Sequence, residues 1–351
     1  MTCYRRLAIS VTLALALCSS GATGQASDHS IVIGIIDFYG LRQLSAEAVR
    51  ARLTVSEGDT ISFSDDERPA FMGVSEARLT ALPGVSHARL NLVCCDNGRA
   101  IVYVGIQEQD ARAMSFRPAP QGQARLATDI VQAGAELSKA LRLAVERGEA
   151  GEDRSQGHSL AHDRAMRAIQ DRFLMYAKRD LPELRRVLRT SSNAAERALA
   201  AEVLGYAPDK RAVVNDLVYG LTDPSEEVRN NALRALLVIA EMAVSPERQV
   251  PNFSPEPIIA LLYSPVWSDR NKASGALAAL TRNRDPELMS VIRRQAISPL
   301  VEMARWKSEG HAQSAFLVLG RVAGYSDDAA LDLWQHGKRE VVISAALARA
   351  R

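Results

Sequence analysis

The polar stretch from residue 149 to residue 163 is the part of the sequence whose side chains could do chemistry. It contains two of the six histidines, His158 and His162, and acids that include Asp153. Histidines four residues apart share one face of a helix, where a carboxylate could complete a metal site or an acid and base pair. However, Gly157 favours a loop, and the glutamate of a His-Glu-x-x-His site is absent. His158, His162 and Asp153 are therefore candidate metal ligands, and a solvated connector is the alternative.

Other catalytic or cofactor-binding patterns are missing from the sequence. It has no glycine-rich phosphate loop and no Cys-x-x-Cys pair, and no nucleophile stands beside an evident base. We predict that the protein is not an enzyme and has no cofactor. A metal-dependent hydrolase that uses the region of His158 and His162 is the alternative hypothesis.

The elements that must position these residues are mainly helical. Of the 351 residues, 54 are alanine and 38 are leucine, whereas only 5% are aromatic. This proportion of small aliphatic residues favours many closely packed helices and excludes a disordered, collagen-like or disulfide-dense chain. The length favours two domains. The formal net charge of +2, spread without a dense basic run, gives no reason to expect a nucleic acid as partner.

The amino terminus has the three-part layout of a secretory signal peptide. Arg5 and Arg6 precede an apolar run over residues 7–17, and a small polar stretch follows up to Ala26. Eleven residues at about 1.5 Å each cannot cross a hydrocarbon layer of about 30 Å. We therefore predict a cleaved signal peptide over residues 1–26 and export to the periplasm or the extracellular space. Residues 15–18 also resemble a lipobox, so a lipid anchor at Cys18 is the alternative, although Leu17 departs from that pattern.

Two adjacent cysteines, Cys94 and Cys95, remain after signal cleavage. Neighbouring residues of a strand point to opposite faces of the sheet. We therefore expect Cys94 in the core and Cys95 reduced or on the other face. A disulfide, between the two or to another molecule, is the alternative in an oxidising compartment.

The residues after the signal peptide predict a small mixed module. β-branched runs predict strands, apolar residues at helical spacing predict helices, and Asn97-Gly98 predicts a hairpin with a type I′ turn. The predicted strands are 31–36, 88–95 and 100–107, and the predicted helices are 46–53 and 67–82, which gives the order β-α-α-β-β.

This order, together with short local phrases, resembles a POTRA domain. The phrases are Glu57-Gly58-Asp59 and Leu82-Pro83-Gly84-Val85, and the last strand ends at Glu108. The resemblance implies a non-catalytic α+β module over residues 30–110 whose sheet edge captures partner chains. The alternative is a small α+β domain whose edge is merely covered.

Residues 111–163 read as a linker with one helix and a polar loop. Pro118, Pro120 and Gly122 mark a connector, and apolar residues at helical spacing predict a helix over residues 124–147. Such a connector permits either a rigid or a flexible arrangement of the parts that it joins.

Beyond residue 163 the sequence repeats itself as pairs of amphipathic helices. Small and large apolar residues recur in register at intervals of 32, 41 and 42 residues, as closely stacked helix pairs require. We count four pairs over residues 181–325 and a partial cap over residues 328–351. The residues in register are Arg197, Arg229 and Arg270; Ala200, Ala232, Ala273 and Ala315; and Leu204, Leu236, Leu277 and Leu319.

The phrase Asp-Pro-Ser-x-x-Val-Arg-x-x-Ala, from Asp223 to Ala232, resembles a HEAT repeat. The resemblance implies an all-α solenoid over residues 164–351. It also implies that Asp223 and the arginines in register, Arg197, Arg229 and Arg270, form a structural ladder between repeats. Recognition of an external anion by this arginine row is the alternative.

The two resemblances together predict an exported, non-catalytic adaptor or scaffold. Its partner would be a protein or peptide held on the concave face of the solenoid, where Asn230 and Arg234 are candidate contacts. We expect Trp306 in the core; if it is instead half-exposed between Arg305 and Lys307, it is a third candidate, because a half-exposed aromatic side chain is a frequent hot spot. An obligate structural subunit of a cell-envelope complex is the alternative.

Overall fold

The computed structural model describes residues 28–64, 67–242 and 253–350. The predicted signal peptide and Cys18 lie outside these residues. Within them, no helix combines the length and the apolar character that crossing a membrane requires.

The amino-terminal module is a four-stranded mixed sheet with two helices on one face. The sheet order is β2-β1-β4-β3, in which β1 and β4 are parallel and the other neighbours are antiparallel. Apolar side chains such as Ile36, Met72, Leu79 and Val102 form the core between the sheet and the helices. The elements are β1 Asp28–Tyr39, α1 Ala46–Arg50, β2 Thr60–Ser64, α2 Ala70–Thr80, β3 Val85–Asp96 and β4 Arg99–Glu108.

The strand β2 is an element that the sequence pattern did not predict. Its five residues alternate between polar and apolar, and they pair with the first half of β1. A run this short gives a weak periodic signal, so pairing with β1 decides its structure. The helix α2 begins at Ala70 rather than at residue 67, because Pro69 occupies the N-cap position.

The hairpin between β3 and β4 confirms the predicted turn. Asn97 and Gly98 both have positive φ, 49° and 74°, as a type I′ turn requires.

The expectation for the cysteines is wrong, because Cys94 and Cys95 are joined by a disulfide. Cys94 is half-buried rather than in the core, and Cys95 is exposed.

After the module and a non-helical segment over residues 111–127, the described residues are mainly helical, with a short hairpin before α4. The helix predicted after the connector is α3, and the polar loop that follows it contains the two-residue strands β5 and β6. The elements are α3 Thr128–Glu146, β5 Glu152–Asp153, β6 Leu160–Ala161, α4 Arg164–Arg179, α5 Leu181–Thr190, α6 Ala194–Leu204, α7 Lys210–Gly220, α8 Glu226–Glu241, α9 Glu256–Leu261, α10 Trp267–Leu280, α11 Pro286–Gln295, α12 Ile297–Ala304, α13 Glu309–Ala323, α14 Asp327–Gln335 and α15 Arg339–Ala350.

The carboxy-terminal helices stack in pairs as a helical repeat solenoid. The pairs are α5 with α6, α7 with α8, α9 with α10, α12 with α13 and α14 with α15, and α11 is an additional helix between the third and fourth pairs. Every alanine and leucine of the predicted register is fully buried. Gly220 of α7 lies so close to Ala232 of α8 that a side chain at residue 220 would collide with it. Small residues at these crossings therefore set the distance between stacked helices.

The sheet of the module is covered on both faces. Its second face contributes Tyr39, Val93, Ile101 and Tyr103 to the same core as the solenoid helices. The second face of the sheet and the solenoid therefore share one hydrophobic core, which is separate from the core between the sheet and its two helices.

Candidate functional site

Buried arginines join each helix pair of the solenoid to the next. The Arg197 guanidinium donates hydrogen bonds to the Asp223 carboxylate at 2.9 and 3.0 Å. Arg229, one repeat later, donates to the Asp269 carboxylate at 2.8 to 3.1 Å. All four side chains are at most 2% exposed. Loss of either partner would leave an uncompensated buried charge, so we expect these pairs to keep the stack in one register.

The third arginine in register continues the row. Arg270 donates to the Glu302 carboxylate and to the Ser264 carbonyl, both at 2.6 Å. Arg229 also donates to the backbone carbonyl of Asp223 at 2.9 Å, so the side chain of Asp223 pairs with Arg197 and its backbone with Arg229. The donors of the row are engaged inside the protein, which does not fit recognition of an external anion.

Residues 111–127, which we call the strap, run in extended form along the turns of the first three helix pairs. The Arg112 guanidinium lies 4.8 Å from the centre of the Tyr263 ring. Five residues later, the Arg117 guanidinium lies 3.7 Å from the centre of the Tyr219 ring. Cation–π contacts of this kind are favourable when they are partly shielded from water. The strap therefore makes the same contact at two successive helix pairs.

The backbone of the strap also binds the solenoid. The Arg117 amide donates to the Thr222 carbonyl at 2.9 Å, and the Ser192 amide donates to the Gly122 carbonyl at 2.8 Å. A side chain at residue 122 would collide with the Thr190 carbonyl, so the glycine permits this close approach. The segment predicted as a connector is thus attached to the solenoid at both ends.

The sheet of the module docks on the same edge of the solenoid, further along the stack. The Tyr39 hydroxyl donates to the Pro265 carbonyl at 2.8 Å, and the Trp267 amide donates to the Asn91 side chain at 2.9 Å. Gly105 of β4 approaches the Pro265 carbonyl so closely that a Cβ would collide with it. The contact is therefore specific in shape as well as in hydrogen bonding.

Ion pairs surround this contact. The Lys307 amide donates to the Asp37 carboxylate at 2.7 Å, and its ammonium donates to the Glu57 carboxylate at 2.8 Å. The Arg89 guanidinium pairs with the Glu226 carboxylate at the start of α8. Burial raises the pKa of Asp37 above its ordinary value although Lys307 acts against it. The module therefore meets two helix pairs through charges as well as through apolar packing.

An aromatic cluster fills the centre of the docking surface. The Tyr103 ring stacks on Trp267 with 5.4 Å between ring centres and contacts Trp306 at 5.0 Å. The Tyr39 ring lies 5.6 Å from Trp306, and the Tyr103 hydroxyl lies 2.7 Å from Nδ1 of His311. Burial, followed by the charge of a nearby lysine, lowers the pKa of His311 to about 4.

Trp306 lies in the core as expected, and the alternative of a half-exposed partner contact is wrong. Its side chain is 1% exposed because the module covers it. The flanking residues Arg305 and Lys307 are exposed, as their charge requires, but the indole between them turns inward. Trp306 therefore belongs to the contact between module and solenoid and is not accessible to a partner.

The second helices of the pairs present another surface, which we call the second-helix face. In α8 it carries Asn230, Arg234 and Glu241, on the side opposite Ala232 and Leu236, which face the core. Asn230 is half-exposed, and its amide donates to the neighbouring asparagine at 3.1 Å. The docked module contacts the amino-terminal end of this face, where Arg89 pairs with Glu226 of α8.

The hairpin of β5 and β6 lies on the second-helix face. The Glu152 carboxylate pairs with both Arg234 and Arg154. Arg154 also reaches the Glu241 carboxylate at 3.3 Å, and Arg234 donates to the Ser159 hydroxyl at 3.2 Å. Burial would raise the pKa of Glu152, but Arg234 and Arg154 outweigh it and lower the pKa. The hairpin is therefore held by an ionised carboxylate.

The two candidate histidines lie in different surroundings. His158 is half-buried, with its ring 5.7 Å from the ring of Tyr206. Burial and the charge of Lys210 lower its pKa to about 4, and burial lowers the pKa of Lys210 to about 8. His162 is exposed and lies against Gly151. The structure therefore does not place the two rings on one helix face.

The third metal candidate, Asp153, accepts a hydrogen bond from the Ser155 amide at 2.9 Å and so stabilises the hairpin turn. A cavity of about 30 Å³, large enough for a water molecule, lies beside His158 and Arg234. In the described ranges 28–64, 67–242 and 253–350, no group of three or more His, Cys, Asp and Glu side chains could hold a metal ion.

Several residues of these surfaces were not identified from the sequence. Tyr39 and Tyr103 lie on predicted strands, but a strand pattern does not show which face meets a distant helix. Glu152 lies in the polar stretch, and its charge alone did not indicate Arg234 as partner. In the strap, the five-residue spacing of Arg112 and Arg117 was a signal, because it matches their contacts with Tyr263 and Tyr219 at successive helix pairs.

A comparison with known protein families agrees with the repeat architecture. A family model described as HEAT repeats matches residues 181–250, which contain α5 to α8. A designed armadillo repeat protein in complex with the peptide (KR)4 is 17% identical, with a TM-score of 0.35; the match covers 64% of this chain and 98% of that chain. A second designed armadillo repeat protein is 17% identical, with a TM-score of 0.31 and coverage of 54% and 96%. No curated protein matches the chain. The carboxy-terminal region is a repeat solenoid that is similar to HEAT repeats.

Proposed function

We propose that the protein is a non-catalytic, exported scaffold that binds a protein or peptide partner on the second-helix face of its solenoid. The observation that carries this proposal is the hairpin on that face. Glu152 and Ser159 of the hairpin both bind Arg234, so the surface already holds a chain segment through a carboxylate and a hydroxyl. Because the hairpin occupies Arg234, a partner segment with the same groups would bind Arg234 by displacing the hairpin.

The arrangement of charge supports binding rather than chemistry. The arginines of the ladder form ion pairs with carboxylates of the next repeat. The half-buried His158 has a lowered pKa, so its ring is neutral at neutral pH. A general base needs a hydrogen-bond path to a substrate, and an accessible nucleophile must stand beside it. The second-helix face instead offers side chains that donate and accept hydrogen bonds over a broad area.

The module contributes to the proposed function as a fixed part of the scaffold. We assign it a POTRA-like character from its β1, α1, α2, β3 and β4 order, with β2 as an addition. The Arg68 guanidinium donates to the Leu90 carbonyl at 2.9 Å, and the Glu76 carboxylate accepts from the Leu90 amide at 2.6 Å. These side chains occupy part of the free edge of β3, so partner capture by strand addition would be confined to the remainder of that edge.

Export is the second part of the proposal and has its own test. Residues 1–30 fused to a reporter that is active only outside the cytoplasm should give activity. A fusion in which Arg5 and Arg6 are replaced by glutamate is the control, because a signal peptide needs its positive charge. An inactive wild-type fusion would contradict export and leave the scaffold role untouched.

Site-specific photo-crosslinking tests partner binding. A photoreactive residue at position 230 should give a defined protein adduct in the native cells, whereas the same residue at position 74, exposed on α2, should not. No adduct from position 230 would contradict the proposed surface.

A further inference from the structure

A second surface of the solenoid has a composition that the scaffold role does not explain. It is a cleft of about 430 Å³ between α11, α12 and the end of α15. The volume lies in the range of ligand-binding clefts, from about 300 to 1,000 Å³. The residues that line it are Tyr263, Arg293, Arg294, Gln295, Ile297, Ser298, Val301, Arg305 and Leu347.

Two arginines of this cleft have no acidic partner in the part of the chain that the structure describes. The Arg293 side chain donates to the Met289 carbonyl of its own helix, and Arg294 donates to the Ser290 hydroxyl. Neither has a carboxylate within ion-pair distance among the residues that the structure describes, and no acidic residue lines the cleft. By contrast, Arg305 at the rim is paired with the Glu340 carboxylate at 2.7 Å. The cleft thus has unneutralised positive charge on one wall.

The floor of the cleft is apolar. Ile297 and Val301 lie one turn apart on α12, and Leu347 on α15 is 37% exposed. The Tyr263 hydroxyl donates to the Gln295 carbonyl at 2.6 Å, which fixes the tyrosine ring at the cleft wall. Leu347 would lose exposed apolar surface if a partner side chain covered it.

We propose that this cleft binds an acidic peptide segment of a partner protein, with carboxylates on Arg293 and Arg294 and an apolar side chain against Leu347. Guanidinium groups bind carboxylates through paired hydrogen bonds, and an apolar floor beneath them adds hydrophobic burial. The surface is separate from the second-helix face and from Asn230, so this inference and the proposed function can fail independently.

Fluorescence anisotropy with the full chain tests the inference. The probe is a fluorescein-labelled peptide of about eight residues in which pairs of glutamates alternate with leucine. Wild-type protein should bind it more weakly as salt is raised, because exposed charge pairs are screened. The double variant Arg293→Gln and Arg294→Gln should weaken binding by about tenfold or more.

Matched variants show whether binding is specific to the cleft. Arg78→Gln with Arg164→Gln removes two exposed arginines elsewhere and should leave binding unchanged. Leu347→Ser should weaken binding, whereas Val341→Ser, at another exposed apolar residue of α15, should not. No binding by the wild type, or equal loss in the two arginine double variants, would overturn the inference.

A second copy of the chain could occupy the cleft in place of a partner protein, and a separate measurement distinguishes the two. Residues 27–110 carry 7 basic and 12 acidic side chains, so the module of another copy could supply carboxylates. Light scattering on wild type alone should give the mass of a monomer. A dimer that dissociates in the Arg293→Gln and Arg294→Gln variant would overturn the assignment to a partner protein.

Discussion

The Arg229 guanidinium and the Asp269 carboxylate, 40 residues apart in the sequence, meet in the interior of the solenoid at 2.8 Å. Arg229 is 2% exposed and Asp269 is fully buried. The Ser264 hydroxyl also donates to the Asp269 carboxylate at 2.6 Å. This relationship links the second and third helix pairs, so it should govern the stability of the stack.

Arg229→Met should therefore destabilise the protein strongly. It leaves the Asp269 carboxylate buried without a counter-charge, which costs about 3–5 kcal/mol. Arg197→Met should cost less, because Asp223 keeps the Arg117 guanidinium at 2.7 Å. Arg186→Met, which removes an exposed pair with Glu183, should cost under about 0.5 kcal/mol. Urea titration followed by circular dichroism measures all three, and equal effects for Arg229→Met and Arg186→Met would contradict a structural ladder.

Gly105→Ala should loosen the module from the solenoid. The added methyl group would meet the Pro265 carbonyl and the Tyr39 ring, and overpacking of this kind costs about 1–3 kcal/mol. Gly73→Ala is the control, since open space surrounds residue 73 and alanine favours helix by about 1 kcal/mol. Quenching of tryptophan fluorescence by acrylamide should rise in Gly105→Ala because Trp267 and Trp306 become accessible. Unchanged quenching would show that the contact does not depend on this close approach.

Acid should weaken the fold through His311. Burial and then the charge of Lys272 lower its pKa from 6.5 to about 4 in the folded state. Between these values the unfolded chain binds more protons than the fold, so the free energy of unfolding falls as the pH drops from 6.5 to 4. A shift of this size corresponds to about 3 kcal/mol.

Two histidine variants isolate this effect. His311→Asn stays neutral at every pH and should reduce the pH dependence of the melting temperature in this window, where His158, whose pKa is also lowered to about 4, supplies part of the remaining slope. His336→Asn, which removes an exposed histidine, is the matched control. Thermal melts from pH 7.5 to pH 4 give the comparison. A wild-type slope in His311→Asn would exclude His311 as the titrating group.

Glu152→Gln should release the hairpin from the second-helix face. The amide keeps the shape of the carboxylate but loses the charge that holds Arg234 and Arg154. Limited trypsin digestion should then cleave after Arg154 several times faster, because cleavage requires local opening. Glu149→Gln, which affects an exposed pair with Arg147, should digest at the wild-type rate. Equal rates for the two variants would mean that other contacts hold the hairpin.

Local patterns in the sequence predicted the repeated parts of the fold. Ala200, Ala232, Ala273 and Ala315 recur in register because each repeat makes the same close helix crossing, and all four are fully buried. The turn at Asn97-Gly98 was equally predictable, since a tight hairpin depends on two residues alone. Features that repeat or are local can therefore be read from one sequence.

Long-range contacts could not be predicted in this way. Trp306 is buried because Tyr39 and Tyr103, more than 200 residues earlier, pack against it. The acid that pairs with Arg229 is Asp269 in the next repeat, and spacing within one repeat does not reveal it. The strand β2 was missed for the same reason, as its structure depends on pairing with β1. Each of these features depends on which surfaces meet after folding.

Photo-crosslinking from position 230 tests the scaffold role most directly. A benzophenone side chain there, in protein expressed in its native cells, should give one adduct of constant mass. Mass spectrometry should identify the same partner protein in that adduct in every replicate experiment. The same side chain at position 74 should give no such adduct, and Glu152→Gln should raise the yield at position 230 by opening the face. Absence of the adduct, or the same adducts from both positions, would contradict a partner on the second-helix face.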